Sequence, residues 1–97
     1  MNFDVWCFQI VDGDGWKASF QKVVRLPFVP FVKLMVTFDD IESDFFCISH
    51  VEWSVENNCF WCNGEREDSE CTEQECTDSY LRNGWTKCNC VTPAQSL

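Results

Sequence analysis

Ninety-seven residues carry a formal net charge of −9, a pI near 4.3 and a composition that is 45% hydrophobic and 15% aromatic. That is enough apolar side chain for one core and too little chain for two, so the sequence predicts a single domain over residues 1–97 and excludes a disordered tail. The acidic balance makes nucleic acid and anionic lipid poor direct partners and a basic protein surface a good one, because a phosphate backbone is bound by clustered Lys and Arg.

The start, "MNFDVWCF", has neither a basic n-region nor a long apolar run. It therefore predicts no signal peptide, no membrane span and a cytoplasmic protein, in a host cell if the source is viral. In that compartment thiols stay reduced, so eight cysteines point to metal before disulfide. Cys7 and Cys47 stand alone among apolar residues, which predicts two buried thiols; the other six lie between Cys59 and Cys90.

Residues 1–64 read as a β-sheet core. Side chains alternate over 3–11, and "DGDG" at 12–15 supplies the residues that tolerate a tight hairpin. A calcium loop counted from Asp12 fails, since its fifth and twelfth positions are Trp16 and Val23. Alternation resumes over 16–26, with Trp16, Ala18, Phe20, Val24 and Leu26 on one face and Lys22 interrupting it. "LPFVPF" breaks the ladder, because proline cannot donate to it, and further strands follow over 31–38 and 45–56, separated by the polar "DDIESD". Val36, Phe38, Trp53, Val55 and Phe60 join Phe20 as expected core.

"CFWCNG" at 59–64 admits two readings. Cys-x-x-Cys before a small residue suits a zinc knuckle. The longer "VEWSVENNCFWC" suits a hairpin, with Asn57 and Asn58 in the turn, Val55 opposite Phe60 and Trp53 opposite Cys62. The hairpin explains more positions, with a strand over 59–63, and it sends Cys59 and Cys62 to opposite faces.

Residues 65–90 form an acidic, cysteine-rich segment, and 91–97 a tail. Seven carboxylates against one Arg fall between 65 and 78. A helix is predicted over 69–82, capped by Ser69 or Asp68 and ended by Gly84, with Cys76 and Tyr80 on the face that packs on the sheet. "GWTKCNCV" reads as a last short strand. The whole is an α+β domain: a small, bent, mainly antiparallel sheet of five to six strands with one helix near its C-terminus.

Three functions fit this composition. The first is a non-catalytic acidic binding protein that occupies the basic surface of a partner and so inhibits an enzyme handling nucleic acid, as a nucleic-acid mimic would. In composition it resembles the small phage inhibitors of bacterial defence systems as a class. The contact would fall to Asp39, Asp40, Glu42, Asp44, Glu65, Glu67, Asp68, Glu70, Glu73, Glu75 and Asp78. The second is a small cytosolic adaptor held by one structural zinc on Cys59, Cys62, Cys88 and Cys90, with Cys71 and Cys76 as the reserve pair; otherwise no cofactor is expected. The third, a disulfide-rich secreted effector, requires a leader. The single histidine, His50, lies in a strand with no nucleophile signature beside it, and no acid–base pair is marked, so catalysis is not expected.

Overall fold

The computed structural model describes residues 2–37 and 45–88, with Phe45 described for its backbone alone. The strands are β1 (Phe3–Gly13), β2 (Lys17–Leu26), β3 (Met35–Thr37), β4 (Phe45–Cys47), β5 (His50–Ser54), β6 (Cys59–Asp68) and β7 (Thr86–Cys88), with one helix, α1 (Glu73–Arg82), before β7. Five strands form one sheet in the order β5-β6-β1-β2-β7, and β3 and β4 pair separately. The protein is α+β, with its helix near the C-terminal end, as the alternation predicts.

The β1–β2 hairpin closes on "DGDG": the Gly13 N–H donates to the Trp16 carbonyl at 2.9 Å, and Gly15 takes φ = 81°. A left-handed φ is available to glycine without the Cβ clash that penalises other residues. Register puts Val5 beside Val24, Cys7 beside Lys22 and Val11 beside Ala18. The odd residues of β1 and the even residues of β2 therefore share one face.

That face is the core. Val5, Cys7, Val11, Ala18, Phe20 and Cys62 lie against Phe46 and Ile48 from the β4 end and against Cys76, Tyr80 and Trp85 from the helical end. Gly64 makes the β4 approach possible. A Cβ there would meet the Cys47 carbonyl oxygen at 2.7 Å and the Phe46 ring at 2.7 Å. On the helical side, Tyr80 stacks on Phe20 at 4.4 Å with ring planes 7° apart.

Several expectations need correction. The mainly antiparallel sheet holds, but β1 and β6 run parallel, a pairing the alternation does not mark, with Val5 opposite Phe60 and Cys7 opposite Cys62. That pairing carries β6 through Asp68, well past the predicted end at 63, since β1 continues to Gly13 and offers a backbone partner throughout. The strand expected over 31–38 shrinks to three residues, and that over 45–56 splits at Ile48 and Ser49, where the chain passes from β3 to pair with β6. The helix starts at Glu73. Its cap is Thr72, not Ser69 or Asp68, in a capping box with Glu75 that satisfies two otherwise orphaned N–H groups. Cys47 is half-buried where a buried thiol was expected, and Phe38 lies outside the described residues.

The second hairpin keeps its predicted facing but not its register. Trp53 stands opposite Phe60 and Ser54 opposite Cys59, so the turn takes the four residues 55–58, with Asn58 at φ = 54°. β5 is an edge strand, which leaves Trp53 45% exposed, and Val55 stands in the turn at 81% exposed, so neither lies in the core. What Trp53 retains is an edge contact with Phe60 at 4.8 Å. Trp53→Ala should therefore cost about 1–2 kcal/mol in chemical denaturation, below the usual core-aromatic penalty. A loss above about 3 kcal/mol would show that Trp53 is covered in solution.

Candidate functional site: an acidic end and its thiols

β1 and β6, lying parallel, finish at the same end of the sheet. Register sets Asp12 beside Glu67 and Gly13 beside Asp68, and Asp14 follows in the adjoining turn. Asp12, Gly13, Asp14, Glu67 and Ser69 line one shallow depression. Within β6, Glu65 and Glu67 alternate with Arg66, so both carboxylates project from the face opposite the core, ~6.6 Å apart along the strand. Both are exposed, as is Glu70. Among the described residues no cation lies within ion-pair distance of Glu65, Glu67 or Glu70.

The remaining carboxylates have local work. Asp68 accepts the backbone N–H groups of Glu70 and Cys71 at 3.2 Å each and faces Arg66 at 3.6 Å. Glu75 completes the helix cap by accepting the Thr72 N–H at 3.0 Å, and Asp78 accepts from Gln74 at 2.8 Å. Glu73 pairs with Lys87 at 3.2 Å. Of the predicted contact residues, Glu65, Glu67 and Glu70 thus remain as unengaged charge, while Asp39, Asp40, Glu42 and Asp44 lie outside the described residues. Asp12 and Asp14, which the sequence marks only as a turn, join them through the parallel register.

The thiols are dispersed. Cys59 projects from the face opposite the core and Cys62 into it, as three residues of strand require. Cys88 sits on β7, three strand spacings from β6, or ~14 Å, and Cys90 lies outside the described residues. Cys59, Cys62 and Cys88 therefore cannot share an ion, and among the described residues no group of three or more Cys, His, Asp or Glu side chains could hold one. Cys71 and Cys76 do line a common pocket of about 120 Å³ with Arg66, Asp68 and Tyr80, where the Arg66 guanidinium donates to the Tyr80 hydroxyl at 3.2 Å. Burial pushes the Cys76 thiol up to about 11, and the neighbouring Asp68 carboxylate is the main cause that raises Cys71. Both shifts run away from the thiolate, the form a nucleophile needs.

His50 contacts Glu52 at 3.5 Å on the exposed side of β5. No helix of the described residues is long and apolar enough to cross a membrane. In comparison with known proteins, the chain matches no family model, no curated protein and no solved structure.

Proposed function

We propose that this chain is a non-catalytic binding protein that occupies the basic surface of a partner, and that enzymes handling nucleic acid are the partner class such a surface fits. The observation that carries this reading is the rigid acidic end. Asp12, Asp14, Glu65 and Glu67 are fixed by a strand ladder and its turn, and Glu65, Glu67 and Glu70 have no compensating cation among the described residues. Carboxylates set on paired strands keep their spacing before binding, so little ordering entropy is lost when a basic groove closes on them. A charged tail of the same composition would lose it. The zinc-held adaptor draws no support from the described thiols, whose named ligands diverge.

The test is a panel of DNA nucleases and polymerases assayed with and without the purified chain. Inhibition should be competitive with DNA and fall steeply between about 50 and about 500 mM salt, where screening shortens the reach of surface charge. The variant Asp12→Asn, Glu65→Gln, Glu67→Gln should inhibit roughly tenfold less well and show a shallower salt dependence. Equal inhibition by that variant, or no inhibition of any enzyme, would sink the reading.

A further inference from the structure

The turn that carries the chain from β6 into α1 is built around two thiols. Thr72 caps the helix, with Glu75 as its capping-box partner. Counted from that cap, Cys71 is the residue just before it and Cys76 is the fourth residue of the helix. At a helix start those two positions meet, and a pair of apolar side chains there commonly fixes the angle at which the chain enters. Here the pair is two cysteines. They line one pocket of about 120 Å³. Each lies within electrostatic reach of Arg66 and Asp68, and Cys76 within reach of Cys71 itself.

The backbone holds the pair from both sides. The Cys76 N–H donates to the Thr72 carbonyl at 3.0 Å, and the Cys71 N–H donates to the Asp68 carboxylate at 3.2 Å. Access differs between the two, since Cys71 is exposed and Cys76 is buried. That division suits a pair in which one thiol meets a reagent and the other answers it. Cys7 and Cys62 also meet, across β1 and β6, but both are sealed in the core.

We infer that Cys71 and Cys76 form a reversible disulfide site, in which Cys71 reacts with a small disulfide of the glutathione class and Cys76 resolves the product. The Cys71 thiolate attacks one sulfur of oxidised glutathione, whose S–S bond breaks. One glutathione leaves as its thiolate and takes up a proton. Cys76 then gives its proton to solvent and attacks the Cys71 sulfur, which forms the Cys71–Cys76 bond and releases the second glutathione. Two electrons pass from the protein to the reagent, and the two protons lost by the cysteines balance the two gained by the glutathiones. Thiols shifted away from the thiolate attack slowly and leave slowly, so a state once set persists. The bond closes a ring around the capping box and ties the turn to α1. Glu70, one of the uncompensated carboxylates, rides on that turn, so oxidation would hold it in place; this consequence rests on the acidic-surface reading, whereas the disulfide site does not.

The test equilibrates the full chain in mixtures of reduced and oxidised glutathione, quenches with acid, alkylates the remaining thiols and digests with a protease that cuts after glutamate. Cleavage after Glu73 or Glu75 parts the chain between the two cysteines, so two peptides that stay joined in mass spectrometry report the bond. The Cys71–Cys76 link should be the main product. Its formation constant against glutathione should be roughly tenfold or more above that in urea, where only the short chain between them keeps the thiols together. Cys76→Ser should stop the sequence at a glutathione adduct on Cys71. Cys71→Ser, which changes an exposed group, should leave Cys76 a thiol, and it carries the test if the other variant fails to fold: an adduct on Cys76 there would show that Cys76 needs no partner to react. The variant Asp12→Asn, Glu65→Gln, Glu67→Gln should oxidise like the parent chain, so failure of the acidic-surface reading leaves this one standing. The inference would be overturned by Cys71 found only as its glutathione adduct in the parent chain or joined chiefly to another cysteine. Thiols that stay reduced in fully oxidised glutathione, or equal formation constants in buffer and urea, would overturn it as well.

Discussion

Replacing Phe20 by alanine should lower the unfolding free energy by about 3–5 kcal/mol, the range for truncating a fully buried aromatic. Phe20 has no exposed surface and, with Phe46, is the largest of the wholly buried side chains among the described residues. Its ring is also the platform on which the helix sits, through Tyr80 at 4.4 Å, and Tyr80 in turn meets Trp85 edge-on at 5.5 Å. The cavity would therefore open between two layers, where neither can collapse without the other shifting. A domain of this size holds about 5–15 kcal/mol in all, so the variant should sit close to its folding threshold. Urea denaturation followed by tryptophan fluorescence gives the difference directly. A loss below about 1 kcal/mol would mean that α1 does not rest on β2 in solution.

The contrast between Phe20 and Trp53 shows what a sequence of this kind reveals. Period-two alternation assigns a side chain to a face, and it did so correctly at both positions. Whether that face is covered depends on strand order, and strand order comes from long-range pairing. Nothing in residues 3–13 announces that their second neighbour will be residues 60–68, because a parallel pair needs no turn to mark it. The same gap explains the acidic run. "GERED" has the composition of a loop, yet it is strand because β1 lies beside it. The helix was easier, since its punctuation is local, although the Thr72 and Glu75 capping box was the better start signal than Ser69. Of the candidate site, the carboxylates of β6 were legible as charge, and the company of Asp12 and Asp14 was not. For the thiols, the hairpin parity that separates Cys59 from Cys62 was visible in "VEWSVENNCFWC", and the structure follows that parity against the zinc set.

The parallel register has one more consequence, in alkali. Cys7 and Cys62 face each other across β1 and β6 with 1% and 0% exposure. Burial pushes each thiol up to about 12; Cys62 adds to the shift at Cys7, and Lys22 across β2 works against it. The unfolded chain releases these protons from about pH 8.5, whereas the folded protein holds them to about pH 12. Between those limits the unfolded state binds fewer protons, so stability is intact below about pH 8 and falls as pH rises. Each thiol contributes a slope of up to ~1.4 kcal/mol per pH unit, and two such slopes would remove most of a marginal domain's stability before pH 11. Alkali acts on the rest of the protein as well, so the comparison must be internal. Under reductant, the Cys7→Ala, Cys62→Ala variant should start less stable at pH 8, through lost packing, and then decline less steeply, by about 2 kcal/mol per pH unit near pH 10. Urea unfolding at several pH values measures both slopes. Parallel slopes would mean that neither thiol is sealed in the core, and that the face shared by β1 and β6 admits water.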